Sequence, residues 1–185
     1  MKSEVIIVMG VSGCGKSTVG KTLADRLGWR FVDADDFHPV ESIEKMREGI
    51  PLNDADRKTW LQKLNRLLQD SARNGEKLVL ACSALKEAYR HTLVTGGIHP
   101  VFIYLRGSYE EILARMESRP NHFMPLSLLR SQFDALEEPA DAWVFESNRP
   151  VEEIVDAILT RLEKVFPPAE SVNEPGHSKG DTARS

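Results

Sequence analysis

Eight residues near the amino terminus carry the strongest chemical signal in the chain. Gly10-Val11-Ser12-Gly13-Cys14-Gly15-Lys16-Ser17 match GxxxxGK[ST] at every fixed position, between an apolar run and a helical pattern. Glycines let the backbone curl so that successive N–H groups point at phosphate oxygens, and the helix that follows turns its positive dipole end to the same anion. In that arrangement Lys16 reaches the β and γ phosphates and Ser17 offers its hydroxyl to Mg²⁺. A glycine turn that only joins strand to helix is the plain alternative, and the flanking pattern weighs against it.

A second cluster, Asp33-Ala34-Asp35-Asp36, closes the next short apolar segment, Phe31-Val32. Ligands gather at the carboxyl ends of strands in open α/β sheets, which gives these carboxylates priority. If the strand continued, the i, i+2 spacing would put Asp33 and Asp35 on one side. One could then hold a metal-bound water while the other accepts a hydroxyl proton; a helix N-cap or a solvated loop is the competing reading. Cys82-Ser83-Ala84-Leu85-Lys86 follows the third apolar run, with Tyr89 and Arg90 one turn on. Lys86 and Arg90 at i, i+4 can share a helix face, though a solvated face explains either alone. Arg115 and Arg119 stand before Pro120-Asn121-His122-Phe123-Met124-Pro125, a Pro-bounded segment at about 119–126 that could close over phosphates, with Arg119 stabilising charge on a transferring phosphoryl group. Ordinary exposed arginines are the alternative, and His122 could orient a phosphate or simply cap the loop.

The elements that must position these groups alternate. Val5–Met9, Leu78–Ala81 and Val101–Leu105 are continuous apolar runs, as buried parallel strands require, with Phe31-Val32 and Ala142–Phe145 as shorter ones. Val19, Leu23, Ala24 and Leu27 fall at helical spacing, and Gly28 suits the helix end. Trp60, Leu61, Leu64, Leu67 and Leu68 form another stripe, Ser108 and Glu111 stand at capping-box spacing, and Pro150 opens a last helix. The prediction is α/β: about five parallel strands with helices on both faces and a short lid, as in the P-loop kinase fold.

The 185 residues correspond to about one domain, expected over 1–166, with 167–185 too poor in apolar residues to fold. A net charge of -4 argues against a broadly nucleic-acid-binding surface. Cys14 and Cys82 have no metal or disulfide spacing, no apolar run approaches the length of a membrane helix, and the amino terminus lacks a secretory pattern; the expected location is cytoplasmic. A GTPase would need an NKxD-type segment, which is missing, and the length leaves no room for motor or transport ATPase insertions. A small-molecule or nucleotide kinase remains.

GVSGCGKST, DADDFHP, IPLNDADR with a following Trp, CSALK with Tyr and Arg, HFMP and SQFDALEEP together resemble the small gluconokinases over nearly all of Val5 to Phe166. The resemblance implies ATP-dependent phosphorylation of D-gluconate to 6-phospho-D-gluconate with Mg²⁺, on a fold similar to shikimate kinase, often as a homodimer. It makes Gly10, Val11, Ser12, Gly13, Cys14, Gly15, Lys16, Ser17 and Thr18 the nucleotide-phosphate loop, Asp33 with Ser17 the metal side, and Asp35 the base or orienter for the reacting hydroxyl. His38, Arg57, Lys86 and Arg90 become candidates for holding the polyol and its carboxylate. Arg115 would stack on adenine and Arg119 would serve in the lid; Asn121 departs from the Gly common before His-Phe. A shikimate-type kinase would share the loop and acidic pair, but that family places Gly-Gly-Gly where this chain has Cys82-Ser83-Ala84. A nucleotide-binding regulatory module would need neither the acidic pair nor the distal cations.

Overall fold

The structure is a computed structural model that describes residues 5–118 and 125–165. Strands β1 (Val5–Met9), β2 (Arg30–Asp33), β3 (Leu78–Ala81), β4 (Val101–Arg106) and β5 (Trp143–Glu146) form one sheet in the order β2-β3-β1-β4-β5, and every pairing is parallel. The helices are α1 (Lys16–Leu27), α2 (Val40–Arg47), α3 (Asp54–Asn74), α4 (Glu87–Val94), α5 (Tyr109–Glu117), α6 (Ser127–Ala135) and α7 (Val151–Val165), with a 3-10 turn over Ala34–Phe37. The five strands and the helices on both faces are those the sequence pattern predicts.

The central strand shows why its sequence does not alternate. Ile6 and Val8 pack on one face with Val19 and Leu23 of α1, Ile112 of α5, Leu129 of α6 and Ile158 of α7. Val5, Ile7 and Met9 pack on the other with Trp60, Leu64 and Leu68 of α3 and Leu93 of α4. Both faces are covered, so every position is apolar, and each full burial of such a side chain is worth about 1.5–3 kcal/mol. A third, small cluster joins Met46 of α2, Leu52 and Leu128 of α6 away from the sheet.

The β1–α1 connection leads to β2 on one side, while β4 flanks β1 on the other. A crevice therefore opens at the carboxyl end of β1, where the strand order reverses. α1 ends as expected, with Gly28 at φ 68° and its N–H turned back to Ala24 and Asp25. Ser108 and Glu111 form the anticipated capping box. One expectation fails: β2 stops at Asp33, and Asp33 caps the 3-10 turn that follows by accepting from the N–H of Asp35. The two aspartates are not successive residues of one strand face, because the Asp33 carboxylate competes successfully for the backbone. The last expected strand runs from Trp143 to Glu146, one residue later than its apolar pattern implies.

Candidate active site

The phosphate loop is built from backbone that only glycine accommodates. Gly10 has φ 145°, and a Cβ there would lie 2.7 Å from the Cys14 sulfur and 2.8 Å from the Leu105 carbonyl oxygen. Gly13 has φ 80° and would drive a Cβ to 2.7 Å from Met116. Gly15 stands at the N-cap of α1 without a side-chain cap, and the first turn holds no acidic residue, so the positive helix end faces the loop. Lys16 Nζ donates to the Val11 carbonyl at 2.9 Å. Cys14 is buried beneath the loop, and burial pushes its thiol pKa up, which agrees with a small filling residue.

Two elements then meet. Ser17 Oγ donates to Asp33 Oδ2 at 2.5 Å, and Asp33 Oδ1 accepts from the Asp35 N–H at 3.0 Å. The carboxylate thus fastens the acidic turn to the start of α1, with Thr18 exposed beside it. Ser17 and Asp33 are the hard oxygen donors that Mg²⁺ prefers, and a Mg²⁺ site on phosphates needs no larger protein cage. Among the described residues no group of three or more His, Cys, Asp or Glu is arranged to hold a metal.

A cleft opens beside the loop, lined by Ser12, Lys16, Asp35, His38, Arg57 and Gln132 over a floor of Met46, Leu52, Trp60 and Ser83. The Asp35 side chain is 68% exposed but sits in this concavity. The surrounding protein desolvates it and raises its pKa; Lys16 opposes that shift, and Asp33 and Asp36 reinforce it. His38 is stacked on Trp60 at 4.4 Å between centroids, with 11° between planes, and only 6% of its side chain is exposed. Burial lowers its pKa to about 4, with Arg57 adding and Asp33 opposing, so the ring is neutral at pH 7. Among the described residues its Nδ1 has no hydrogen-bond partner. Trp60 Nε1 in turn donates to the Ala34 carbonyl at 2.7 Å, which holds the acidic turn from below.

The cations divide. Arg57 lines the cleft, and its Nη1 donates to the Tyr89 hydroxyl at 3.1 Å. That hydroxyl donates to Asp54, which also accepts from Lys86 Nζ at 2.8 Å. Lys86 is therefore paired at the rim and is not among the cleft-lining residues; the hydrogen bond to Asp54 raises its pKa and lowers that of its partner. Lys86 has extended backbone as the N-cap of α4, so it shares no helix face with Arg90. Arg90 donates to the carbonyls of Ala84 and Leu85 at 2.9 and 3.1 Å and lines a separate depression with Phe102 and Glu138. It braces a loop in which Ala84 takes φ 44°. Arg115 lies behind the phosphate loop, donating to the carbonyls of Ser147 at 2.7 Å and Cys14 at 3.3 Å. Arg119 and His122, with most of the expected lid, lie outside the described residues, as do Phe166 and the expected tail 167–185.

Sequence reasoning missed Gln132, Asp54 and the bridging role of Tyr89. Gln132 Oε1 accepts from the Ser12 N–H at 2.7 Å across 120 residues of sequence. Its only signal was membership of the SQFDALEEP segment.

A parallel sheet in this order, with a phosphate loop at the strand-order reversal and an acidic turn facing it, defines a P-loop phosphotransferase. The shikimate kinase family pattern matches residues 12–163. A probable gluconokinase from Xenopus tropicalis is 47% identical over 151 residues, covering 74% of this chain and 80% of that protein. The thermosensitive gluconokinase of Escherichia coli (strain K12) is 48% identical over 139 residues, covering 75% and 74%. Among solved structures, a gluconokinase from Sinorhizobium meliloti 1021 superposes with a TM-score of 0.78 at 40% identity, over 89% of this chain and 95% of that one. The chain belongs to the gluconokinases, within the shikimate kinase family.

Proposed function

We propose that this protein transfers the γ-phosphoryl group of ATP to the terminal hydroxyl of D-gluconate, giving 6-phospho-D-gluconate and ADP. One observation carries the reading: a single cleft is walled on one side by Ser12 and Lys16 of the phosphate loop and on the other by Asp35, His38 and Arg57. The gluconokinase relatives supply the acceptor. The phosphate loop and the amino end of α1 hold the donor phosphates, with Lys16 on their β and γ oxygens. We assign Thr18, the next residue of α1, to the nucleotide side as well, and Arg115 to the adenine side. Ser17 and Asp33 would hold Mg²⁺, which when bound neutralises charge on the β and γ phosphates.

Asp35 accepts the proton of the acceptor hydroxyl as its oxygen bonds to phosphorus and the bond from phosphorus to the β–γ bridging oxygen breaks. A raised pKa makes this carboxylate a better proton acceptor than an ordinary aspartate. Arg57 suits the gluconate carboxylate, because a guanidinium binds carboxylates through two parallel donors. The unpartnered Nδ1 of the neutral His38 ring suits a polyol hydroxyl, which can donate or accept. Lys86 is a rim contact, Arg90 acts at most through its loop, and Arg119 acts on the transferring group. A cytoplasmic location and a homodimer complete the reading, and light scattering tests the latter. No described helix is long and apolar enough to cross a membrane.

The deciding experiment is coupled ADP release with gluconate, shikimate and other sugar acids. Turnover that depends on gluconate is expected, and its absence would remove the reading. Turnover with shikimate in its place would favour the sister activity.

A further inference from the structure

Helix α6 touches three parts of the site at once. Leu128 packs with Met46 of α2 and with Leu52, on the acceptor side. Leu129, the next residue, is fully buried in the core cluster that includes Val11 and Cys14 of the phosphate loop. One turn further on, Gln132 is 9% exposed, lines the cleft with Lys16 and Asp35, and accepts from the Ser12 N–H at 2.7 Å. A short hydrogen bond from the loop backbone to a buried side chain, at the face where donor and acceptor must meet, is more than packing requires. Leu128 and Leu129 already seat the helix.

We propose that Gln132 is a positioning residue for phosphoryl transfer: by holding Ser12 to α6 it fixes the separation between the phosphate loop and the acceptor side, so that the γ-phosphoryl group passes to the bound acceptor in preference to water. The inference rests on the gluconate reading above. A bound polyol reacts only if its hydroxyl oxygen lies in line with phosphorus at close range, and an error near 1 Å can cost about 10²-fold. Water must also attack in line, but it is small and untethered and can take up that position wherever the loop lies. Loosening the contact should therefore slow transfer much more than hydrolysis.

The test is the partition of ATP turnover between 6-phosphogluconate and free inorganic phosphate at saturating gluconate. Both products come from the same molecules, so the ratio does not depend on the folded fraction. Gln132→Met keeps the side-chain volume but has no amide oxygen, and Gln132→Ala removes both. Each should shift the partition toward hydrolysis by about tenfold or more. Gln132→Glu retains an acceptor oxygen and should keep the parent partition while raising the KM for ATP, because it adds a negative charge beside the phosphates. A partition within twofold of the parent in both Gln132→Met and Gln132→Ala would overturn the proposal, as would a shift in Gln132→Glu equal to that in Gln132→Met. If the parent protein itself shows no gluconate-dependent product, the functional reading fails instead, and that outcome is distinguishable from the first two.

Discussion

On the proposed function the cleft has a donor half and an acceptor half, and the two are made in different ways. The donor half is one continuous stretch from β1 through α1, and its working groups are backbone amides, a helix end and Lys16. The acceptor half takes Asp35 from a turn, His38 from the segment after it, Arg57 from α3 and Gln132 from α6. Their contacts reach far along the sequence: Arg57 donates to Tyr89 of α4, and Gln132 accepts from the Ser12 N–H of the loop. Main-chain geometry recognises what every donor shares, whereas separate side chains can be exchanged to suit one acceptor. Nucleotide use is accordingly common to the fold, and acceptor choice belongs to the family.

Four substitutions or conditions would break or sharpen this contrast. The largest effect is expected on the donor side, where Lys16→Ala should abolish gluconate-dependent ADP release, since no other described cation lining the cleft belongs to the phosphate loop. Next, Asp35→Ala should lower kcat by about 10² to 10⁴ while calorimetry shows nucleotide binding largely retained; a normal kcat would end its role as base.

The third concerns pH. His38 has a folded pKa of about 4, below its ordinary 6.5, so the unfolded chain binds the extra proton first. Stability should be fully present above pH 6.5 and should fall progressively as pH drops toward 4, by at most roughly 3 kcal/mol from this group. Urea melts of the parent and of His38→Gln at pH 7 and pH 4.5 check it, because the variant should lose that part of the pH dependence. The smallest effect belongs to Tyr89→Phe, which deletes the hydroxyl joining Arg57 to Asp54. A bond of this kind is worth about 0.5–1.5 kcal/mol, so the KM for gluconate should rise roughly two- to tenfold with the KM for ATP unchanged. An equal rise in both would mean that the two halves are less separate than their construction implies.

The same contrast explains what could be read in the sequence. β1, the loop and α1 were legible because each signal is local: an unbroken apolar run, a fixed glycine spacing, a 3.6-residue stripe and a terminal Gly28. The acidic turn was legible in position but not in shape, since the Asp33 side chain ends the strand by capping its own chain two residues on. Lys86 and Arg90 misled for a related reason: their spacing suggests one helix face, yet α4 begins at Glu87 and leaves Lys86 outside it. The start of α3 lay hidden in a polar stretch, where Asn53 and Asp56 form a capping box in which aspartate replaces the usual glutamate. Nothing in the pattern could reveal Gln132 or the Asp54–Tyr89–Arg57 relay. Such contacts join residues 32 or more positions apart and leave no periodic trace.

Both thiols of the chain are buried, Cys14 beneath the phosphate loop and Cys82 at the end of β3, and desolvation pushes the latter to about 12. Thiols so placed are protonated and shielded, and therefore poor nucleophiles. Alkylating reagents should thus find no target on the closed protein, and any labelling of Cys14 becomes a clock for how often the loop above it breathes open.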